Sequence, residues 1–197
     1  MDFFRRAAGS PSKLGILAGT FNPPTRAHLA LARAALGLVD EVVFVLPREF
    51  PHKTYEQASF AERVEMLEAA LADAPRCSIA ATAQGLFVDI ARECRQAYGP
   101  ACELYFVCGC DAAERAANWD YGRPGAFREQ LREYQLLVAA RQGSWQGPPG
   151  MRGRIHALAL EQDWVSASEV RRRIRSGEEW EQLVPAAVAA LARKTYS

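Results

Sequence analysis

The sequence predicts an α/β fold: an open, mostly parallel, Rossmann-like sheet with helices on both faces. Three observations carry that prediction. Short apolar runs alternate along the chain with segments of helical periodicity, two of those runs end in glycine turns at Gly19 and Gly109, and the crossovers are long enough to hold helices. Right-handed crossovers would then gather the loops at one edge of the sheet.

Residues 14–18 read as a buried strand, and Gly19 allows a sharp exit from it. Pro23 and Pro24 delay the next helix to about Thr25. That helix buries Leu29, Leu31, Ala32, Ala35 and Leu36 and stops near Gly37. Residues 41–46 form a second strand, and 47–54 carry too many prolines and charges for regular structure. Ser59-Phe60-Ala61-Glu62 is a capping box for a helix with Val64, Met66, Leu67, Ala70 and Leu71 on its core face. A weaker strand, 77–82, precedes a helix that ends at Gly99-Pro100. Residues 103–107 form the fourth strand, closed by Gly109-Cys110-Asp111, and 111–117 a short helix. An aromatic loop, 118–122, a helix over 126–132 and a strand over 135–140 follow. A Gly/Pro-rich loop spans 143–153, a sixth strand 154–160, and two helices begin at Ser168 and Pro185.

A length of 197 residues with 49% hydrophobic content fits one domain over 13–197, with 1–12 as a frayed tail. The net charge of +1, from 24 basic and 23 acidic residues, gives no bulk attraction for nucleic acid. No membrane span or secretory signal is read, so the expected location is the cytoplasm. The five cysteines (Cys77, Cys94, Cys102, Cys108, Cys110) are odd in number and mostly in apolar settings, which reads as reduced thiols. Cys108-Gly109-Cys110 admits a metal pair or redox couple only weakly, because there is no second pair. The sequence leaves homo-oligomerisation open.

Residues 19–28, Gly-Thr-Phe-Asn-Pro-Pro-Thr-Arg-Ala-His, join the first strand to a helix whose free N–H groups face the sheet's carboxyl edge. That is a phosphate-binding arrangement, and it is neither a Walker A loop nor the dinucleotide fingerprint. Gly19, Thr20, Phe21, Pro23, Thr25 and His28 resemble the Gly-Ser/Thr-Phe-x-Pro loop and His/Thr-x-Gly-His turn of the cytidylyltransferase-like nucleotidyltransferases. Asn22 stands where bacterial nicotinate-nucleotide adenylyltransferases commonly have Asp, and Ala27 where Gly is usual. The resemblance to nicotinate/nicotinamide-nucleotide adenylyltransferases covers residues 14–196. It rests further on Pro51-His52-Lys53 with Arg63, Gly109-Cys110-Asp111 with Trp119, and residues 136–138 with Arg141. Its last part is Val165-Ser166-Ala167-Ser168-Glu169-Val170-Arg171, similar to Ile-Ser-Ser-Thr-x-Ile/Val-Arg. Residues 86–90, Leu-Phe-Val-Asp-Ile, depart from Tyr-Thr-x-Asp-Thr, with Phe87 and Ile90 replacing two hydroxyls.

The resemblance implies transfer of AMP from ATP to a pyridine mononucleotide with loss of pyrophosphate. It places Gly19, Thr20, Phe21, His28, Gly109, Asp111, Ser166, Ser168 and Arg171 on ATP, and His52, Lys53, Phe87, Trp119 and Arg141 on the mononucleotide. His28, Thr25 and Arg171 become the catalytic set. The residues offer no clustered carboxylates, so Mg²⁺ is expected on the ATP phosphates rather than in a protein cage. Nor is there a covalent nucleophile or general base, which suits phosphoryl chemistry done by positioning and charge.

Taken singly, these residues have plainer readings. His28 is a helix side chain, Arg171 opens an Arg-rich helix face, Trp119 is core, Asp111 a helix cap, and His156 a strand residue. Two other functions stay open: a nucleotidyltransferase for another phosphorylated acceptor, suggested by Phe87, and a nucleotide-binding protein without turnover, suggested by Asn22 and Ala27. A tRNA synthetase would need a tRNA-binding module for which the chain has no room.

Overall fold

The computed structural model describes residues 1–49, 57–139, 147–148, 150–160 and 165–196. Its strands are β1 (Asp2–Arg5), β2 (Lys13–Ala18), β3 (Glu41–Pro47), β4 (Cys77–Thr82), β5 (Glu103–Gly109), β6 (Gln135–Ala139) and β7 (Ile155–Leu158). They form one sheet in the order β1-β4-β3-β2-β5-β6-β7. All neighbouring pairs are parallel except β1 with β4. The order reverses at β2, whose Ile16 lies opposite Val43 of β3 and Phe106 of β5. In an open α/β sheet such a reversal leaves a crevice beyond the strands' carboxyl ends.

The helices are α1 (Arg26–Ala35), α2 (Phe60–Ala70), α3 (Phe87–Tyr98), α4 (Cys110–Ala117), α5 (Ala126–Gln130), α6 (Ala167–Ser176) and α7 (Ala186–Tyr196). One face of the sheet packs Leu17, Phe44 and Ile79 against Leu31 of α1 and Leu67 of α2. The other packs Ile16, Val43 and Phe106 against Ile90 of α3, Ala113 of α4 and Phe127 of α5. A third cluster joins Met66 of α2 and Val170 of α6 to Val188, Ala192 and Tyr196 of α7. It ties the C-terminal helices to α2 and so to the carboxyl edge.

One expectation is corrected. Residues 1–12 read as a frayed tail, yet Asp2–Arg5 pairs antiparallel with β4. Phe3 meets the Tyr98 ring at 5.8 Å and Phe4 meets Phe60 at 5.9 Å. The guanidinium of Arg5 donates to the carbonyls of Leu71 and Ala74. Long cationic stems bury readily when their heads reach carbonyls, so Phe-Phe-Arg-Arg is an edge strand rather than a solvated tail.

Gly15 shows how tightly β2 is held. A Cβ there would lie 3.0 Å from a Val42 methyl, 3.1 Å from Val39 and 3.3 Å from Val107. Gly15→Ala gains about 0.4–1 kcal/mol from a less flexible unfolded chain. Overpacking a core position costs about 1–3 kcal/mol. The second effect wins, and the variant is expected to unfold at a lower urea midpoint with an unchanged m-value. An equal or higher midpoint would show that the valines yield freely.

Candidate active site

Gly19 leaves β2 while its N–H still donates to the Val45 carbonyl at 3.0 Å. Phe21 then takes a left-handed backbone (φ 47°) and turns its ring inward, 1% exposed. A side chain at Gly19 would come within 3.2 Å of that ring, so the glycine is what lets the loop fold over itself. The Asn22-Pro23 peptide is cis. Thr25, fully buried, is the N-cap of α1.

His28 occupies the third position of α1 and plays the part that Glu plays in a usual capping box. Its Nδ1 lies 2.9 Å from the Thr25 backbone nitrogen and 2.9 Å from Thr25 Oγ1. A backbone N–H only donates, so Nδ1 accepts, and the proton of the neutral imidazole sits on Nε2. The ring edge-packs on Phe21 at 5.1 Å, which fixes its plane. His28 is therefore held as an Nε2–H donor.

A second helix start meets this loop. Ser166 caps α6 by accepting from the Glu169 N–H at 3.2 Å. Arg171 Nη1 donates to the Asn22 carbonyl at 2.5 Å and Nη2 to Ser168 Oγ at 3.4 Å, across 149 residues of sequence for the first contact. The rest of the arginine run is engaged elsewhere: Arg172 pairs with Glu169 and Glu178, and Arg173 with Glu169. Hydrogen bonds from Arg172 and then Arg173 hold the Glu169 carboxyl down at about 2, so these surface pairs stay ionised.

Three further groups brace the loop. The Tyr196 hydroxyl of α7 donates to Asn22 Oδ1. The guanidinium of Arg63, 2% exposed, donates to the Thr20 carbonyl at 3.1 Å. Arg26 Nε donates to the Val184 carbonyl at 3.2 Å. Asn22, 5% exposed, accepts the tyrosine hydrogen without requiring a buried charge, which gives the departure from Asp a physical account.

Beside the loop lies a cleft of about 100 Å³ between Gly19, Leu86, Phe87, Arg115, Trp119 and Tyr121. Whole-ligand sites run from about 300 Å³ upward, so this cleft suits one ring rather than a nucleotide. Phe87 reaches it while stacking on Phe106 at 4.1 Å and 9°. Ile90 does not line it; that side chain is fully buried in the core beneath α3. Gly109 ends β5, the neighbour of β2, and Asp111 stands in the first turn of α4. A larger groove, about 690 Å³, runs along α1 past Arg33 and Arg76 to the start of α7. None of the candidate site residues named from the sequence lines it, and Arg76 donates to the Val39 and Asp40 carbonyls. The 100 Å³ cleft, by contrast, lies at the strand-order reversal and is lined by Gly19, Phe87 and Trp119.

The Cytidylyltransferase-like family model matches residues 16–173. The chain belongs to this cytidylyltransferase-like family. Among its relatives are proteins described as "Probable nicotinate-nucleotide adenylyltransferase". The one from Moorella thermoacetica is 31% identical, covering 90% of this chain and 88% of its own. That from Solibacter usitatus is 32% identical over 90% and 95%, and that from Thermus thermophilus 30% over 92% and 97%.

In this cytidylyltransferase-like chain, Thr25, His28, Ser168 and Arg171 gather about one loop, formed by Gly19, Thr20 and Phe21, with Ser166 capping the second helix. Phe87 and Trp119 share the cleft with Gly19. Gly109 and Asp111 mark the adjacent strand end. His52, Lys53 and Arg141 lie outside the described residues. Nothing local in the sequence singles out Tyr196 or Arg115, since each sits in an Ala-rich helix. His156 bonds Gln135 at 2.8 Å on the sheet's far edge, a structural place. All five cysteines are unpaired thiols. Burial pushes the Cys108 thiol up to about 12, which makes it a poor redox partner for Cys110.

Proposed function

We propose that the chain transfers AMP from ATP to the phosphate of nicotinate mononucleotide, releasing pyrophosphate, as a cytoplasmic enzyme of NAD biosynthesis. The observation that carries this reading is the contact of Arg171 with the loop that orients His28, which supports a shared phosphate role for the two side chains. The relatives' description as probable nicotinate-nucleotide adenylyltransferases supports nicotinate mononucleotide as the acceptor.

The acceptor's phosphate monoester has a second pKa of about 6, so at neutral pH it attacks the α-phosphorus as a dianion without a protein base. A phosphorus–oxygen bond forms to the acceptor as the bond to the β-phosphate oxygen breaks. His28 donates from Nε2 to the α-phosphate oxygens, and Thr25 with the backbone of Thr20 and Phe21 holds the same group. Arg171 has five N–H donors; two bind Asn22 and Ser168, and the others serve the departing pyrophosphate. Ser166 and Ser168 lie at that end, and Gly109 and Asp111 flank the nucleoside. His52, Lys53 and Arg141 are assigned to the attacking phosphate, and Phe87 and Trp119 to the pyridine ring.

Among the described residues no group of three His, Cys, Asp or Glu side chains gathers to hold a metal. Mg²⁺ is assigned to the ATP oxygens, where it would neutralise phosphate charge. Among the described residues no helix is long and apolar enough to cross a membrane.

The test is pyrophosphate release from ATP and Mg²⁺ with nicotinate or nicotinamide mononucleotide. Release with the nicotinate form is expected, and silence with both would overturn the proposal. Phe87, apolar where the family resemblance expects hydroxyls, favours a second reading with another phosphorylated acceptor. A screen of phosphorylated aromatic metabolites separates the two.

A further inference from the structure

Arg115 is the one charged residue among the described residues that line the cleft between Phe87 and Trp119. It projects from the last turn of α4 (Cys110–Ala117), opposite Leu86 and Phe87 at the start of α3. Unlike Arg63 and Arg171, which brace the phosphate loop, Arg115 makes no hydrogen bond or ion pair among the described residues. The other side chains of the lining offer little polarity. Ala18, Leu86, Phe87, Ala112 and Ala116 are apolar, and the Tyr121 hydroxyl donates its hydrogen to the Ala116 carbonyl at 3.0 Å. Among the described residues, then, the aromatic slot carries a single uncommitted cation, at its exposed side.

We infer that Arg115 is the specificity-determining residue of the acceptor site and selects an aromatic ring bearing a carboxylate over one bearing a carboxamide. This rests on the proposed adenylyl transfer to a pyridine mononucleotide, whose ring the slot would hold. A guanidinium has donors only. A carboxylate accepts two of them in a planar fork, with full charge on both sides. A carboxamide offers one acceptor, and its two N–H groups find no acceptor on arginine. Where hydroxyls at positions 87 and 90 would have served either substituent, Phe87 supplies a stacking face and Ile90 is withdrawn into the core. Among the described residues of the lining, discrimination by side-chain charge therefore falls to Arg115.

Equilibrium binding of nicotinate and nicotinamide mononucleotide is measured by titration calorimetry in the presence of a non-hydrolysable ATP analogue, for the wild type, Arg115→Lys and Arg115→Gln. Turnover is followed in parallel. The wild type is expected to prefer the nicotinate form. Arg115→Gln should lose about ten- to a hundredfold in affinity for it, the range of a lost hydrogen bond to a charged group. Its affinity for the nicotinamide form should change by less than about threefold, and Arg115→Lys should keep part of the preference through charge without the fork. In turnover the loss should appear in KM rather than kcat, because the contact is remote from the reacting phosphorus. An unchanged ratio of the two affinities in Arg115→Gln, or weak and equal binding by the wild type, overturns the inference. Selective binding lost on Arg115→Gln, with no pyrophosphate release by the wild type, supports it and overturns the catalytic reading alone. Arg115 is exposed on a helix, so the variants' circular dichroism should match the parent's.

Discussion

His28→Ala is expected to lower kcat by about a hundred- to a thousandfold, or about 2.7–4 kcal/mol of transition-state stabilisation, the loss typical of one oxyanion donor. The Kd for ATP should move by less than about threefold, because the α-phosphate oxygens gain charge only as the reaction proceeds. The imidazole has a second task that must be read separately. Its Nδ1 caps the Thr25 N–H at 2.9 Å, and removal of a cap costs about 0.5–2 kcal/mol of stability. His28→Ala should thus melt a few degrees lower in addition to reacting slowly. His28→Asn separates the tasks: its side chain can cap Thr25 from the same position but cannot reach outward with a donor at Nε2. Recovery of stability without recovery of kcat is the expected outcome. A variant that loses ATP affinity and kcat in equal measure would make His28 a ground-state ligand and end its assignment to the transition state.

The sequence legibly encodes what local physics decides. Ser59 with Glu62 specifies a helix start, and α2 begins beside it with both halves of the box in place. Gly19 and the two prolines specify a sharp exit and a late helix, and Thr25 caps α1 as that spacing requires. Alternation of apolar runs is enough for the parallel sheet, because each strand buried on both faces must be nearly continuous in Val, Ile, Leu and Phe, as β3 is. What stayed hidden depends on partners distant in sequence. Glu41 reads as a strand's first residue, yet it is 4% exposed and accepts hydroxyl hydrogens from Ser78 and Tyr98, each at 2.6 Å. Tyr196 reads as the end of an Ala-rich helix, yet it holds Asn22 across 174 residues. Phe-Phe-Arg-Arg reads as a tail because nothing local announces the Leu71 and Ala74 carbonyls that receive Arg5. The site divides in the same way: the motif residues were visible one by one, but that Arg171 touches the loop of His28 is a fact of tertiary structure.

That contact gives Arg171 two separable roles, and its replacement should show both. Arg171→Ala removes a cation from the position assigned to pyrophosphate and withdraws the donor from the Asn22 carbonyl. A hydrogen bond to a charged group is worth about 1.5–3 kcal/mol, so kcat/KM for ATP is expected to fall about ten- to a hundredfold from the first role alone. Arg171→Lys keeps the charge but not the planar fork, and should recover only part of that loss. Running the reaction backwards isolates the phosphate role. With dinucleotide and pyrophosphate as substrates, KM for pyrophosphate should rise in Arg171→Ala while KM for the dinucleotide stays within about threefold, since only the former meets the guanidinium as a leaving or entering group. The bracing role is read from Tyr196→Phe. That variant loosens Asn22 from its side-chain oxygen and leaves Arg171 intact, so it should lower the melting temperature and spare KM for pyrophosphate. If Tyr196→Phe and Arg171→Ala raise KM for pyrophosphate alike, Arg171 acts only by shaping the loop. The departing phosphates must then be met by other cations.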